Sequence, residues 1–106
     1  MRFNRPSSAL PDLLRSGADT LEVELLAEKA AALGRSGEAL EKALAVHRAA
    51  VETASPERVA LAFAAAEAAQ AHFIQRELSG HRRHDDVVRR LSIPPEIFGK
   101  IGAKPR

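Results

Sequence analysis

Arg76 and Glu77, side by side in a Gln75-Arg76-Glu77 run, are the first residues here whose types could do chemistry. A guanidinium is a rigid fork of donors suited to carboxylate or phosphate, and Glu77, or Glu28 from an earlier segment, could orient it. That makes Arg76 a candidate anion-binding group. No nucleophile and no phosphate-cradling glycine loop accompanies it, so a structural ion pair where helices meet is the plainer expectation. His81 and His84, three residues apart with Asp85 and Asp86 adjoining, are zinc-compatible in type, but their spacing matches no metal motif with a mechanism. His47 reads as a partly buried, hydrogen-bonded core histidine, and His72 as exposed. The chain has no Cys, its serines lie at caps and loops, and its carboxylates are dispersed. No catalytic constellation emerges, so the sequence reads as a non-enzyme without metal or other cofactor.

A second constellation is basic. Residues 1–75 carry 8 Lys/Arg against 10 Asp/Glu and residues 76–106 carry 8 against 4, so the last third holds +4 of a net charge of +2. Arg82, Arg83, Arg89, Arg90, Lys100 and Lys104 could neutralise phosphates. Val87, Leu91, Ile93, Phe98 and Ile101 fall at the apolar spacing of a helix-turn-helix. This gives an alternative reading, a DNA-binding protein using a degenerate helix-turn-helix at residues 82–104. Its details argue against it: Val88 stands where a small residue lets helices cross, Ser92 where glycine commonly turns, and the would-be recognition helix, Glu96 to Gly102, holds two glycines and almost no base-reading side chains.

The elements that must position these residues begin with a long helix from Asp19 to Ala54. As a heptad, it places Val23, Ala30, Gly37, Leu44 and Val51 at one seam position and Leu26, Leu33, Leu40, His47 and Ala54 at the other. The phase holds across Gly34-Arg35-Ser36-Gly37, which predicts one continuous helix rather than two. Ser55-Pro56-Glu57 is a restart signal, with Ser as N-cap and Pro at the first helical position. A second helix is therefore expected from Pro56 to about Ser79, with Gly80 as its left-handed terminator.

So short a connection makes the two helices antiparallel. Pairing about the turn sets Val51 near Val59, His47 near Phe63, Leu44 near Ala66 and Gly37 near Phe73, the last giving the glycine a packing reason. The second helix is the shorter, and the start of the first overhangs it. Short helices over residues 82–91 and 95–101 are expected to cover that overhang, with Ile93, Ile97, Phe98 and Ile101 closing over Leu21, Leu25 and Leu26. The fold class is then all-α, a long antiparallel helical hairpin with two short C-terminal helices packed on its open end. Residues 1–18 are expected as an extended or partly helical N-terminal segment, 19–101 as a single helical domain and 102–106 as a flexible tail.

Two stretches resemble a small proteobacterial family of uncharacterised all-helical proteins. They are Leu21-Glu22-Val23-Glu24 running on through Glu28-Lys29-Ala30, Ala32-Leu33-Gly34-Arg35 and Leu40-Glu41, then Phe73-Ile74-Gln75-Arg76-Glu77 to Gly80, with Ile93-Pro94 and Glu96 beyond. Gln70 and His72 depart from the bulky aromatics of that pattern. The resemblance implies an all-helical fold and no assigned activity.

Composition suggests how such a hairpin could be stabilised. The apolar 45% contains 21 Ala and only 27 Leu, Ile, Val, Phe and Met, and alanine buries little area per residue. Self-association is the natural remedy. Ala60, Ala64, Ala68 and Ala71 form a stripe on the second helix that would let a second copy approach closely, which predicts a homo-oligomer, most simply a dimer. No stretch approaches the ~20 apolar residues of a membrane span and the N-terminus lacks a signal-peptide run, so no membrane association and a cytoplasmic protein are expected.

Overall fold

A computed structural model describes residues 20–103. They form α1 (Thr20–Glu52), α2 (Arg58–Leu78), α3 (Asp85–Arg90) and α4 (Pro95–Phe98). The expected N-terminal segment, the expected first helical residue Asp19 and the last residues, including Lys104, lie outside the described part. No helix among the described residues is long and apolar enough to cross a membrane.

The long helix is continuous. Its 33 residues span ~50 Å at 1.5 Å per residue, which gives the molecule its long dimension of 57 Å against 28 and 19 Å. It ends where Ala54 enters the left-handed region at φ 52° and Ser55 N–H reaches back to Ala50 O at 2.8 Å. Ala54 is thus a helix terminator rather than the last seam residue. The Ser55 hydroxyl accepts the Glu57 N–H, but regular helix begins at Arg58, two residues later than expected. At the far end of α2, Gly80 sits at φ 96° and His81 N–H bonds Arg76 O at 2.9 Å. Both observations match the expected glycine-terminated helix.

α1 and α2 pack as an antiparallel hairpin around Leu40, Leu44, Ala62, Ala65, Ala66 and Ala69. Their register differs from the expected one by a residue. His72, not Phe73, lies over Gly37, where an added Cβ would come within 3.2 Å of the His72 Cε1. His72 is buried, which corrects the expectation that it is exposed. Val51 and Val59 remain about half exposed beside the turn.

The two short helices complete an all-α fold, but they lie elsewhere than over the overhang. From the end of α2 the chain turns back along the hairpin, and Ile93 and Ile97 fill the groove between the leucines of α1 and the alanines of α2. That groove exists because alanines leave space beside a helix, and burying two isoleucines there removes more apolar area from water than a contact with solvent-facing leucines would. α4 is anchored near the turn, where Glu96 accepts hydrogen bonds from His47 at 3.0 Å and Arg58 at 3.2 Å. Leu21 and Leu25 consequently stay 65% and 52% exposed, and Leu26 is only half-buried.

Candidate functional site

Arg76 is the centre of the densest polar network. Its side chain is 11% exposed. Nε donates to His84 Nδ1 at 3.1 Å, and Nη2 donates to the Arg83 carbonyl at 2.9 Å and to Asp86 Oδ1 at 3.2 Å. Because Arg76 fills the Nδ1 lone pair, the His84 ring carries its proton on Nε2, which faces Glu77 Oε2 at 3.0 Å. Phe73 stacks on the other side of that ring, 4.4 Å between centroids at an interplanar angle of 6°. Gly80 makes this possible by reversing the chain directly after α2, so that residues 83–86 return over Arg76 within one turn.

The network ties α2 to the start of α3 and leaves out the long helix. Glu28, expected beside Arg76, instead pairs with Arg35 on its own helix at 3.3 Å, both side chains well exposed. The reason is the returning chain: Asp86 and His84 occupy Arg76 before α1 can reach it. Arg76 thus serves as a structural clamp, with Nε and Nη2 already committed. His84 likewise has both ring nitrogens engaged, and no group of three His, Asp or Glu placed to hold a metal occurs among the described residues.

The two buried histidines are interhelical pins. The Ser36 hydroxyl donates to Leu33 O at 3.0 Å, so the 2.8 Å bond to His72 must have Nδ1–H as donor. Burial, followed by the charges of Arg76 and Arg90, holds the His72 pKa below its ordinary value. His47, buried as expected, bonds Glu96 from 49 positions away, and Glu96 is held below the usual carboxylate range chiefly by Arg58. No sequence spacing announces either partner. No buried side-chain nitrogen or oxygen among the described residues lacks a partner.

The basic residues are divided between surfaces. Arg82, Arg83 and Arg89 rim an open groove of about 720 Å³ whose floor is Phe73, Val88, Phe98 and Ile101. Asp85 also lines it, but accepts from Arg83 at 3.0 Å, and that bond holds its pKa below the ordinary value. Arg90 lies outside this groove. Lys100 is carried to a second hollow, over the Phe63 ring at 5.3 Å, beside Ala60 and Ala64. The expected helix-turn-helix helices shrink to α3 of 6 residues and α4 of 4, because Arg82 to His84 belong to the link and Ser92, at φ 53°, ends α3 in the left-handed turn that glycine usually makes.

A family model matches residues 5–106, nearly the whole chain. The chain belongs to DUF6665, a family of unknown function. No curated protein and no solved structure matches it. Membership in DUF6665 carries no activity, so the function rests on the surfaces themselves. Of the alanine stripe, Ala60, Ala64 and Ala71 are exposed and Ala68 is half-buried against the core. Larger apolar side chains, outside the expected stripe, are exposed at the overhanging start of α1, Leu21 and Leu25, and towards the end of α2, Ile74 and Leu78. The signal in the sequence was Leu21 and Leu25 at i, i+4 beside the seam, on a helix longer than α2 could cover.

Proposed function

We propose that this protein is a non-catalytic, self-associating interaction module, most simply a homodimer. The observation that carries this reading is the uncovered start of α1. Leu21 and Leu25, a second apolar face at i, i+4 beside the seam, remain in contact with water, and the seam residues Val23, Leu26 and Leu33 are only partly buried where Leu40, Leu44 and His47 further along are buried. Apolar side chains left in water on a helix gain free energy from being covered, and large ones exposed together at one end of a helix point to an association surface. The stripe of Ala60, Ala64 and Ala71, with Ala68 partly withdrawn into the core, is the alternative face for a second copy.

The DNA-binding reading draws on Arg82, Arg83 and Arg89, which line one groove. Against it, α4 is a single turn whose only charged side chain is Glu96, and that carboxylate is engaged by His47 and Arg58. Sedimentation velocity over a concentration series tests self-association directly, with electrophoretic mobility against nonspecific duplex DNA run beside it. Concentration-dependent mass that Leu21→Glu and Leu25→Glu abolish supports the module through α1. Loss on Ala64→Glu alone moves the interface to the alanine stripe, and a monomer at high micromolar concentration overturns the proposal.

A further inference from the structure

The groove floored by Phe73, Val88, Phe98 and Ile101 is another apolar surface among the described residues, with Phe98 54% exposed. Its rim is three arginines, and its only acid, Asp85, is taken by Arg83. Arg76 holds the Arg83 carbonyl and the Asp86 carboxylate, which fixes the link that carries Arg82 and Arg83 beside the groove. The occupant it suits is acidic and apolar at once. A nucleic acid fits less well: one face of Phe73 is already stacked on His84, leaving Phe98 as the sole platform for a base.

The α1 overhang has the required chemistry. Its sequence Leu21-Glu22-Val23-Glu24-Leu25-Leu26-Ala27-Glu28 joins three carboxylates to the exposed leucines. We infer that the overhang of one copy docks in the arginine-rimmed groove of a second copy, reciprocally about a two-fold axis, setting Glu22, Glu24 and Glu28 against Arg82, Arg83 and Arg89. The geometry permits this exchange. The groove lies level with Gly37, since Phe73 follows the His72 that covers it, and Gly37 is ~18 Å along α1 from Leu25 at 1.5 Å per residue. A two-fold axis crossing midway, near residue 31, brings each overhang to the other's groove and closes the assembly at two copies. Opposite charge around an apolar centre also sets direction: the basic C-terminal third of one copy meets the acidic start of α1 in the other.

This inference rests on the self-association proposed above and names its two faces, so the test must separate them. One variant reverses the rim (Arg82→Glu with Arg89→Glu), and the other reverses the overhang (Glu24→Arg with Glu28→Arg). Each alone should lose association on the order of a hundredfold, since two of the three charges on one face are reversed and meet like charge across the interface. Mixed in equal amounts they should form a heterodimer, because each overhang then meets an opposite rim, and this restoration also shows that both variants fold. Raising salt should weaken parent and mixture alike. If the parent dimerises and both variants do so equally, self-association stands but runs through another face, and this inference is wrong. Loss in the overhang variant only points to overhang pairing with overhang and also overturns it. A monomeric parent removes both proposals.

Discussion

Gly37→Ala tests the register of the hairpin, with Gly34→Ala as its control on the same helix. Gly34 has nothing within 4 Å of a built Cβ, so the substitution should act only through helix propensity and stabilise by about 0.5–1 kcal/mol. In a domain of this size that is a rise in Tm of roughly 2–8 °C. At Gly37 the same intrinsic gain is opposed by the His72 ring, whose Cε1 lies 3.2 Å from the new carbon. The ring cannot readily retreat, because it is buried and its Nδ1–H is held by Ser36 Oγ at 2.8 Å. Overpacking of that kind costs about 1–3 kcal/mol, so the net effect should lie between neutral and ~2 kcal/mol destabilising. The decisive quantity is the difference between the variants, about 1–3 kcal/mol from the two contributions together. Urea unfolding at matched protein concentration measures it, since association would shift both midpoints. If Gly37→Ala stabilises as much as Gly34→Ala, His72 does not pack on Gly37 and the register is wrong.

Three further outcomes follow from the same geometry. Ala54→Gly should raise stability by roughly 0.5–1 kcal/mol in thermal melts, because Ala54 holds a left-handed φ of 52° that glycine adopts without steric cost; a loss would mean the turn is not left-handed in solution. Glu96→Ala leaves the buried His47 without its acceptor and should cost about 1–3 kcal/mol. Arg58→Ala, which removes the exposed partner, should cost under about 1 kcal/mol. Equal effects would show that Glu96 anchors α4 through its surface pair with Arg58. Stability should also fall as pH drops below His72's ordinary value of 6.5: its pKa is lowered in the folded state, so the unfolded chain takes up the proton first. Comparing urea midpoints near pH 7.5 and 5.5 should show a fall that His72→Gln diminishes, and an undiminished fall would assign it to other groups.

Much of the architecture was legible in the chain because it is local. Heptad phase in α1, the Ser55-Pro56-Glu57 restart and Gly80 as terminator each depend on residues within a few positions, where propensity and capping act. They establish two long helices, their antiparallel arrangement, and an α1 that runs on through two glycines. The left-handed turns at Ala54 and Ser92 were not legible in residue type: the position of Ser92 marked a turn, but a non-glycine residue gives no sign that it will take that conformation.

The tertiary structure decided whatever depends on which large side chain fills which gap. A hairpin lined with alanine does not specify its register sharply, since one small side chain resembles the next, and the bulky exceptions settled it, with His72 seated on Gly37 and Ile93 and Ile97 wedged beside Leu40 and Leu44. That choice drew the C-terminal helices along the hairpin and away from Leu21 and Leu25. It also turned Arg76 from α1 to Asp86 and gathered Arg82, Arg83 and Arg89 around one apolar groove. Sequence spacing announced none of these partners, because side-chain volume and the reach of a returning chain act in space between residues far apart along the chain.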